Sequence, residues 1–126
     1  MNKLELVKTN LASHIGEEKI KKIYQNRYLV DCGIILYDNF NSLPINLVEI
    51  DNKVYFADYG QTLEGLECDF ESISEAKQEK ITSLLKDSDI EFDGKSLIKE
   101  TNAQNAFLDY NKFVKTIILI ESIIER

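Results

Sequence analysis

The sequence predicts an α+β fold: a small antiparallel sheet packed against an N-terminal helix and a long C-terminal helix. Three observations predict it. Two strand-like runs, 45–50 and 53–59, are separated only by Asp51-Asn52, the signature of a β-hairpin. A wide apolar stripe at helical spacing occupies 103–124. Helical and strand patterns follow one another along the chain without an internal repeat or a linker, so 1–126 reads as one domain.

The elements follow in order. Leu4, Val7, Leu11 and Ile15 recur at three-to-four spacing and predict a helix over 2–15, with Asn2 and Glu5 as a capping box and Gly16 at its end. Glu17–Tyr24 reads as a further turn or two of helix, with Ile20 and Ile23 facing inward. Residues 28–37, YLVDCGIILY, are rich in strand formers but do not alternate cleanly, which predicts a bulge at Gly33. DNFNSLP then reads as a loop. The hairpin 45–59 follows, with Lys53, Tyr55 and Ala57 on one face of its second strand and Val54, Phe56 and Asp58 on the other, core-facing side. Gly60 breaks that strand, and Thr62 can cap a short helix containing Leu63 and Leu66. Ser72 and Glu75 suggest a capping box for a helix over 74–87 that faces inward through Ala76, Ile81, Leu84 and Leu85. Asp93-Gly94 predicts a short hairpin over 90–99. Thr101 and Gln104 suggest a third capping box, before a helix with Ala106, Tyr110, Phe113, Ile117, Ile120 and Ile124 on its core face. The apolar surplus at its end, with Ile117, Ile120 and Ile124, also offers a face for a homodimer.

FADYGQTLEGLE (56–67), KITSLLKDSDIEFDG (80–94) and the terminal helix form a recognisable set. On these, residues 28–124 resemble a domain of unknown function found in bacterial and phage proteins, DUF1828. Such proteins carry a phrase like T-D-D-G-x-T-L-x-D-L; Asp58, Gly60, Thr62, Leu63 and Leu66 match it, while Ala57, Tyr59 and Gly65 depart from it. An upstream aspartate of the family pattern corresponds to Asp31 or Asp38. The resemblance implies a fold and a phage or mobile-element setting, not an activity.

Charge narrows the function classes. The chain has 22 acidic and 15 basic residues, a net charge of -7. That disfavours nonspecific binding to nucleic-acid backbones or anionic lipid. Residues 64–93 alone hold ten acidic residues against three lysines, a net of -7. Cys32 and Cys68 form no CxxC pair and read as reduced, structural thiols. The N-terminus has no signal-peptide pattern and no window has the roughly 18 apolar residues of a membrane span. The expectation is a soluble cytoplasmic protein.

Three function classes remain. The foremost is a small acidic interaction protein, with anti-CRISPR and anti-restriction inhibitors as the concrete examples, docking on a basic surface of a nuclease or DNA-binding assembly through Glu64, Glu67, Asp69, Glu71, Glu75 and Glu79. The second is a metal-dependent hydrolase or nuclease accessory using Glu49, Asp51 and Asp58, which requires those carboxylates to converge. Against it, Asp58, Gly60 and Thr62 read as a structural turn, with Asp58 accepting hydrogen bonds from the backbone amides that follow. The third is a nucleic-acid-binding regulator using Lys19, Lys21, Lys22 and Arg27 with Tyr24 interleaved. A single histidine, His14, supports no zinc site, and no phosphate-binding glycine loop is present, so no cofactor is expected.

Overall fold

The computed structural model describes residues 2–35, 42–58, 73–93 and 96–124. Helix α1 (Lys3–Ile15) begins where Asn2 Oδ1 accepts from the Glu5 amide at 2.8 Å, and ends at Gly16, whose φ of +102° leaves the helical region. A short 3-10 turn over Glu17–Lys19 leads not into a second helix but into strand β1 (Ile20–Tyr24). This corrects the helical expectation for 17–24. The β-branched Ile20 and Ile23 and the aromatic Tyr24 suit an edge strand, and only Ile20 is buried.

Strands β2 (Arg27–Ile35), β3 (Ser42–Ile50) and β4 (Lys53–Ala57) continue the sheet. Asp51 and Asn52 have φ of 50° and 66°, as the tight turn of a two-residue hairpin requires. The expected irregularity at Gly33 is present. The β2–β3 register shifts between Asp31 and Ile35, Gly33 has φ of +76°, and its amide donates to Asp31 Oδ1 at 3.0 Å. Helix α2 (Glu75–Asp87) is capped by Ser74, whose hydroxyl accepts from the Lys77 amide, rather than by the expected Ser72. Strands β5 (Glu91–Phe92) and β6 (Leu97–Thr101) form the second hairpin. Helix α3 (Ala106–Ile124) closes the chain. Thr101 is not its cap but the last residue of β6; Asn102 Oδ1 holds the turn before the helix by accepting from the Asn105 amide at 2.9 Å.

Among the described residues the sheet has six strands in the order β1-β2-β3-β4-β6-β5, every pair antiparallel. Cross-strand register places Tyr28, Leu47, Phe56 and Lys99 in one row on the same face. The three helices contribute to the core on that face. Leu4, Val7 and Leu11 of α1, Ile81 and Leu85 of α2, and Ala106, Tyr110, Phe113, Ile117 and Ile120 of α3 are buried with Val30, Ile45, Val54 and Leu97 of the strands. The Phe56 ring lies 6.2 Å from that of Phe113 and 5.9 Å from that of Tyr110. Half-buried Cys32 packs against this core. Among the described residues, no helix is long and apolar enough to cross a membrane.

Two measurements follow. Phe56→Ala opens a cavity at the crossing of sheet and α3 and should cost about 3–5 kcal/mol by urea unfolding. Tyr110 is buried, and its hydroxyl is pushed up to about 12, first by burial and then by the negative charges of Cys32 and Asp31. Between roughly pH 10 and 12 the unfolded chain loses this proton before the folded chain does, so Tyr110 removes stability as pH rises through that window. The difference between wild type and Tyr110→Phe in unfolding free energy should therefore shrink or reverse toward pH 12.

Candidate functional site

The carboxylates expected to bind metal, Glu49, Asp51 and Asp58, are spread out by register. Glu49 faces Val54 at one end of the β3–β4 hairpin, whereas Asp58 follows Ala57, the partner of Asn46, at the other. Four strand steps separate these ends, about 13 Å. Asp51 sits exposed in the turn, and exposed Asp31 alternates with buried Val30, placing it on the opposite face from Asp58. Among the described residues no group of three or more His, Cys, Asp or Glu is placed to hold a metal ion.

Asp58 is fully buried and does structural work of another kind. Its Oδ1 accepts from the Leu97 amide at 2.8 Å, and its own amide donates to the Leu97 carbonyl at 3.2 Å. This acceptor reaches across the sheet, where β4 runs out, and extends the β4–β6 pairing by one residue; the turn just after it, from which Asp58 was expected to accept, lies outside the described residues. Gly60, Thr62, Glu64, Glu67, Asp69 and Glu71 lie outside the described residues. Glu75 and Glu79 are exposed on α2. Ile117 and Ile120 are fully buried in the protomer's own core, so the dimer face expected there is already occupied; Ile124 is half-buried. Lys21 and Lys22 are exposed on edge strand β1, and the Arg27 guanidinium lies 5.5 Å from the Tyr24 ring centre. Arg27 also donates to Asn46 Oδ1 at 2.9 Å. His14 stacks on Phe107, with ring centres 4.3 Å apart.

The most developed polar site was not anticipated. In β6, Leu97, Lys99 and Thr101 share the core-facing side, so a lysine stands at the end of the row Tyr28–Leu47–Phe56. Lys99 is 4 % exposed. Its ammonium donates to the Ser88 carbonyl at 2.6 Å and lies 3.8 Å from Asp109 Oδ1 in the first turn of α3. The Thr101 hydroxyl donates to Asp109 Oδ2 at 2.8 Å, and the Thr116 hydroxyl donates to Ser88 Oγ at 3.0 Å. This chain of bonds ties together the end of α2, strand β6 and both halves of α3. The signal for it was present in LIKET, because strict alternation from Leu97 puts Lys99 inward.

Beside this cluster a groove of about 650 Å³ opens where two-residue β5 stops covering β6. Asp89, Glu91, Glu100 and Asp109 line it against Lys53 and Lys99, four carboxylates to two ammonium groups, a net of -2. Lys53 and Glu100 are 4.0 Å apart and both exposed, so their attraction is weak. Asp89 stands at the left-handed position that ends α2, with φ of 53°; its amide donates to the Lys86 carbonyl and the Ile90 amide to the Leu85 carbonyl at 2.8 Å. This pair of bonds is the Schellman arrangement, whose left-handed position glycine ordinarily fills.

Lys99→Met should destabilise the protein by about 3–5 kcal/mol, because it leaves the Asp109 carboxylate and the Ser88 carbonyl without their cation. Adding Asp109→Leu to that variant should recover most of the loss by removing the stranded charge, as read by thermal and urea unfolding.

No curated protein and no solved structure matches the chain. The family model described as domain of unknown function DUF1828 matches residues 34–120, more than half of the chain and within the stretch whose residues suggested it. The chain therefore belongs to the DUF1828 family.

Proposed function

We propose that this chain is a small interaction protein that receives a basic segment of a larger protein in the groove beside β6. The observation that carries this reading is Asp89. A glycine would adopt its left-handed backbone with less strain, and what aspartate adds is a carboxylate on the rim of an already acidic groove. Glu91 and Glu100 extend the same sign of charge, and the buried Lys99–Asp109 pair fixes the floor. Such a surface favours Arg- and Lys-rich protein and disfavours a bare phosphate backbone. Nucleic-acid-processing assemblies present basic surfaces of this kind. With the phage setting that the family resemblance implies, a host-defence nuclease of the CRISPR or restriction type is the first partner to test.

One observation favours a second reading, a nucleic-acid-binding regulator: Lys21, Lys22 and the Arg27 held against the Tyr24 ring lie along one edge of the sheet. A titration with a single-stranded oligonucleotide beside one with an Arg/Lys-rich peptide separates the two.

The peptide should bind with an affinity that falls steeply with salt, and the oligonucleotide should not bind. Asp89→Gly should raise stability by about 0.5–1 kcal/mol, by relieving a left-handed non-glycine residue. The same change should weaken peptide binding several-fold. Wild-type protein that shows no salt-dependent peptide binding, or Asp89→Gly protein that binds equally well, would remove the groove from the interaction.

A further inference from the structure

We infer that the basic segment received beside β6 binds there as an added antiparallel strand, its backbone paired with Glu100 and an arginine or lysine opposite that residue, an inference that rests on the reading of this groove as a docking site. The backbone of β6 carries it. In antiparallel pairing, alternate residues turn their N–H and C=O to opposite sides. The Asp58 amide donates to the Leu97 carbonyl at 3.2 Å, so Leu97, and with it Lys99 and Thr101, bonds toward β4. Ser96, Ile98 and Glu100 therefore turn their backbone groups the other way, where the Asp93 amide donates to the Ser96 carbonyl at 3.2 Å.

On that side β5 pairs only as far as Ile98. Its register, Glu91 with Ile98 and Phe92 with Leu97, would set Asp89 opposite Glu100. The Asp89 amide instead donates to the Lys86 carbonyl in the turn that ends α2. Among the described residues no strand pairs with Glu100 on this side. The groove of about 650 Å³ lies along this open edge, with Tyr55 and Ile98 lining it from the outer face of the sheet and Lys99 and Thr101 from the helix-covered face. An extended chain is the ligand that meets a strand edge with both an amide and a carbonyl. The opposite edge of the sheet is less suited to such pairing, because β1 carries exposed Lys21 and Lys22 and an irregular register between Lys22 and Tyr24.

Alternation then sets the side chains. A residue paired with Glu100 shares its face. Glu91, through its partner Ile98, and Lys53 lie on that face too, so two carboxylates stand there against one lysine. Lys53 and Glu100 are both exposed and 4.0 Å apart, a contact that an incoming cation can replace. The residues before and after that cation point to the helix-covered face. There Lys99 already faces Asp109 at 3.8 Å, and an uncharged side chain fits. The ligand therefore alternates cationic and uncharged residues and is not an unbroken basic run.

The probe is a short blocked peptide alternating threonine and arginine, titrated into the untagged full chain by NMR with amide hydrogen exchange. In the free protein the Glu100 amide should exchange faster than those of Lys99 and Thr101, which bond to β4. Bound peptide should slow Glu100 exchange to the rate of these neighbours. The same peptide N-methylated on its threonine amides should bind as well as the parent. Methylation of its arginine amides, the ones that donate to the Glu100 carbonyl, should weaken binding about tenfold. A peptide that binds without protecting Glu100, or two methylated forms that bind alike, would overturn the added strand and leave the groove as a docking site. A parent peptide that does not bind would overturn the added strand together with that reading of the groove.

Discussion

Phe56 is the contact on which the rest of the structure depends. It lies in the fourth of six sheet positions, between Leu47 on one side and Lys99 on the other, and under the rings of Tyr110 and Phe113. Strand pairing alone leaves a sheet with no reason to prefer one register. A one-residue slip would carry Phe56 to the far side and bring Tyr55 and Ala57 inward. Packing of this ring against α3 therefore fixes the register of the central strands and the position of the long helix in the same step. The wide apolar stripe of α3 follows from that geometry: Ala106, Tyr110, Phe113, Ile117 and Ile120 must cover a sheet, not a second narrow helix seam.

The polar interior solves a problem that this packing creates. Beyond Phe56 the core row runs out at Lys99, and β4 runs out at Asp58. A buried ammonium and a buried carboxylate are both costly unless bonded. Lys99 is satisfied by the Ser88 carbonyl and Asp109, whereas Asp58 is satisfied by the Leu97 amide. Each therefore anchors β6, a short strand that enters the sheet out of chain order between β4 and β5. The Asp58–Leu97 bond closes the last hairpin onto the central one, and the Lys99 bonds tie that hairpin to the end of α2 and the start of α3. Lys99 and Asp109 also line the acidic groove, together with Asp89, Glu91 and Glu100.

Surface chemistry is divided between two sides. The acidic groove beside β6 has polar walls and a fixed base, which suits recognition of charged side chains. The groove between α2 and α3 is lined by apolar Ala76, Leu84, Leu119 and Ile123, with Glu79, Lys80 and Asp87 beside them. The Lys8 ammonium donates to Glu17 and holds that carboxyl below its ordinary range, a local bond that joins α1 to the start of β1 at the sheet's opposite edge.

Local pattern alone determined much of this protein. The α+β class, the Asp51-Asn52 hairpin, the bulge at Gly33, the Asn2 cap, α1, α2 and the long terminal helix were legible because each rests on spacing and turn chemistry within a few residues. The inward alternation of Val54, Phe56 and Asp58 was legible for the same reason. Glu17–Tyr24 was misread because an edge strand with one buried residue has too weak a period to distinguish it from a helical turn. Tertiary structure decided the rest. It placed β6 beside β4, joined Asp58 to Leu97, separated Glu49 from Asp58, and buried Ile117 and Ile120 within the protomer. Alternation in LIKET could place Lys99 inward, but only the packing of α3 over β6 could supply Asp109 as its counter-ion. Pairing across a sheet joins residues whose separation along the chain carries no periodic signal, and that is why the candidate site emerged only from the folded molecule.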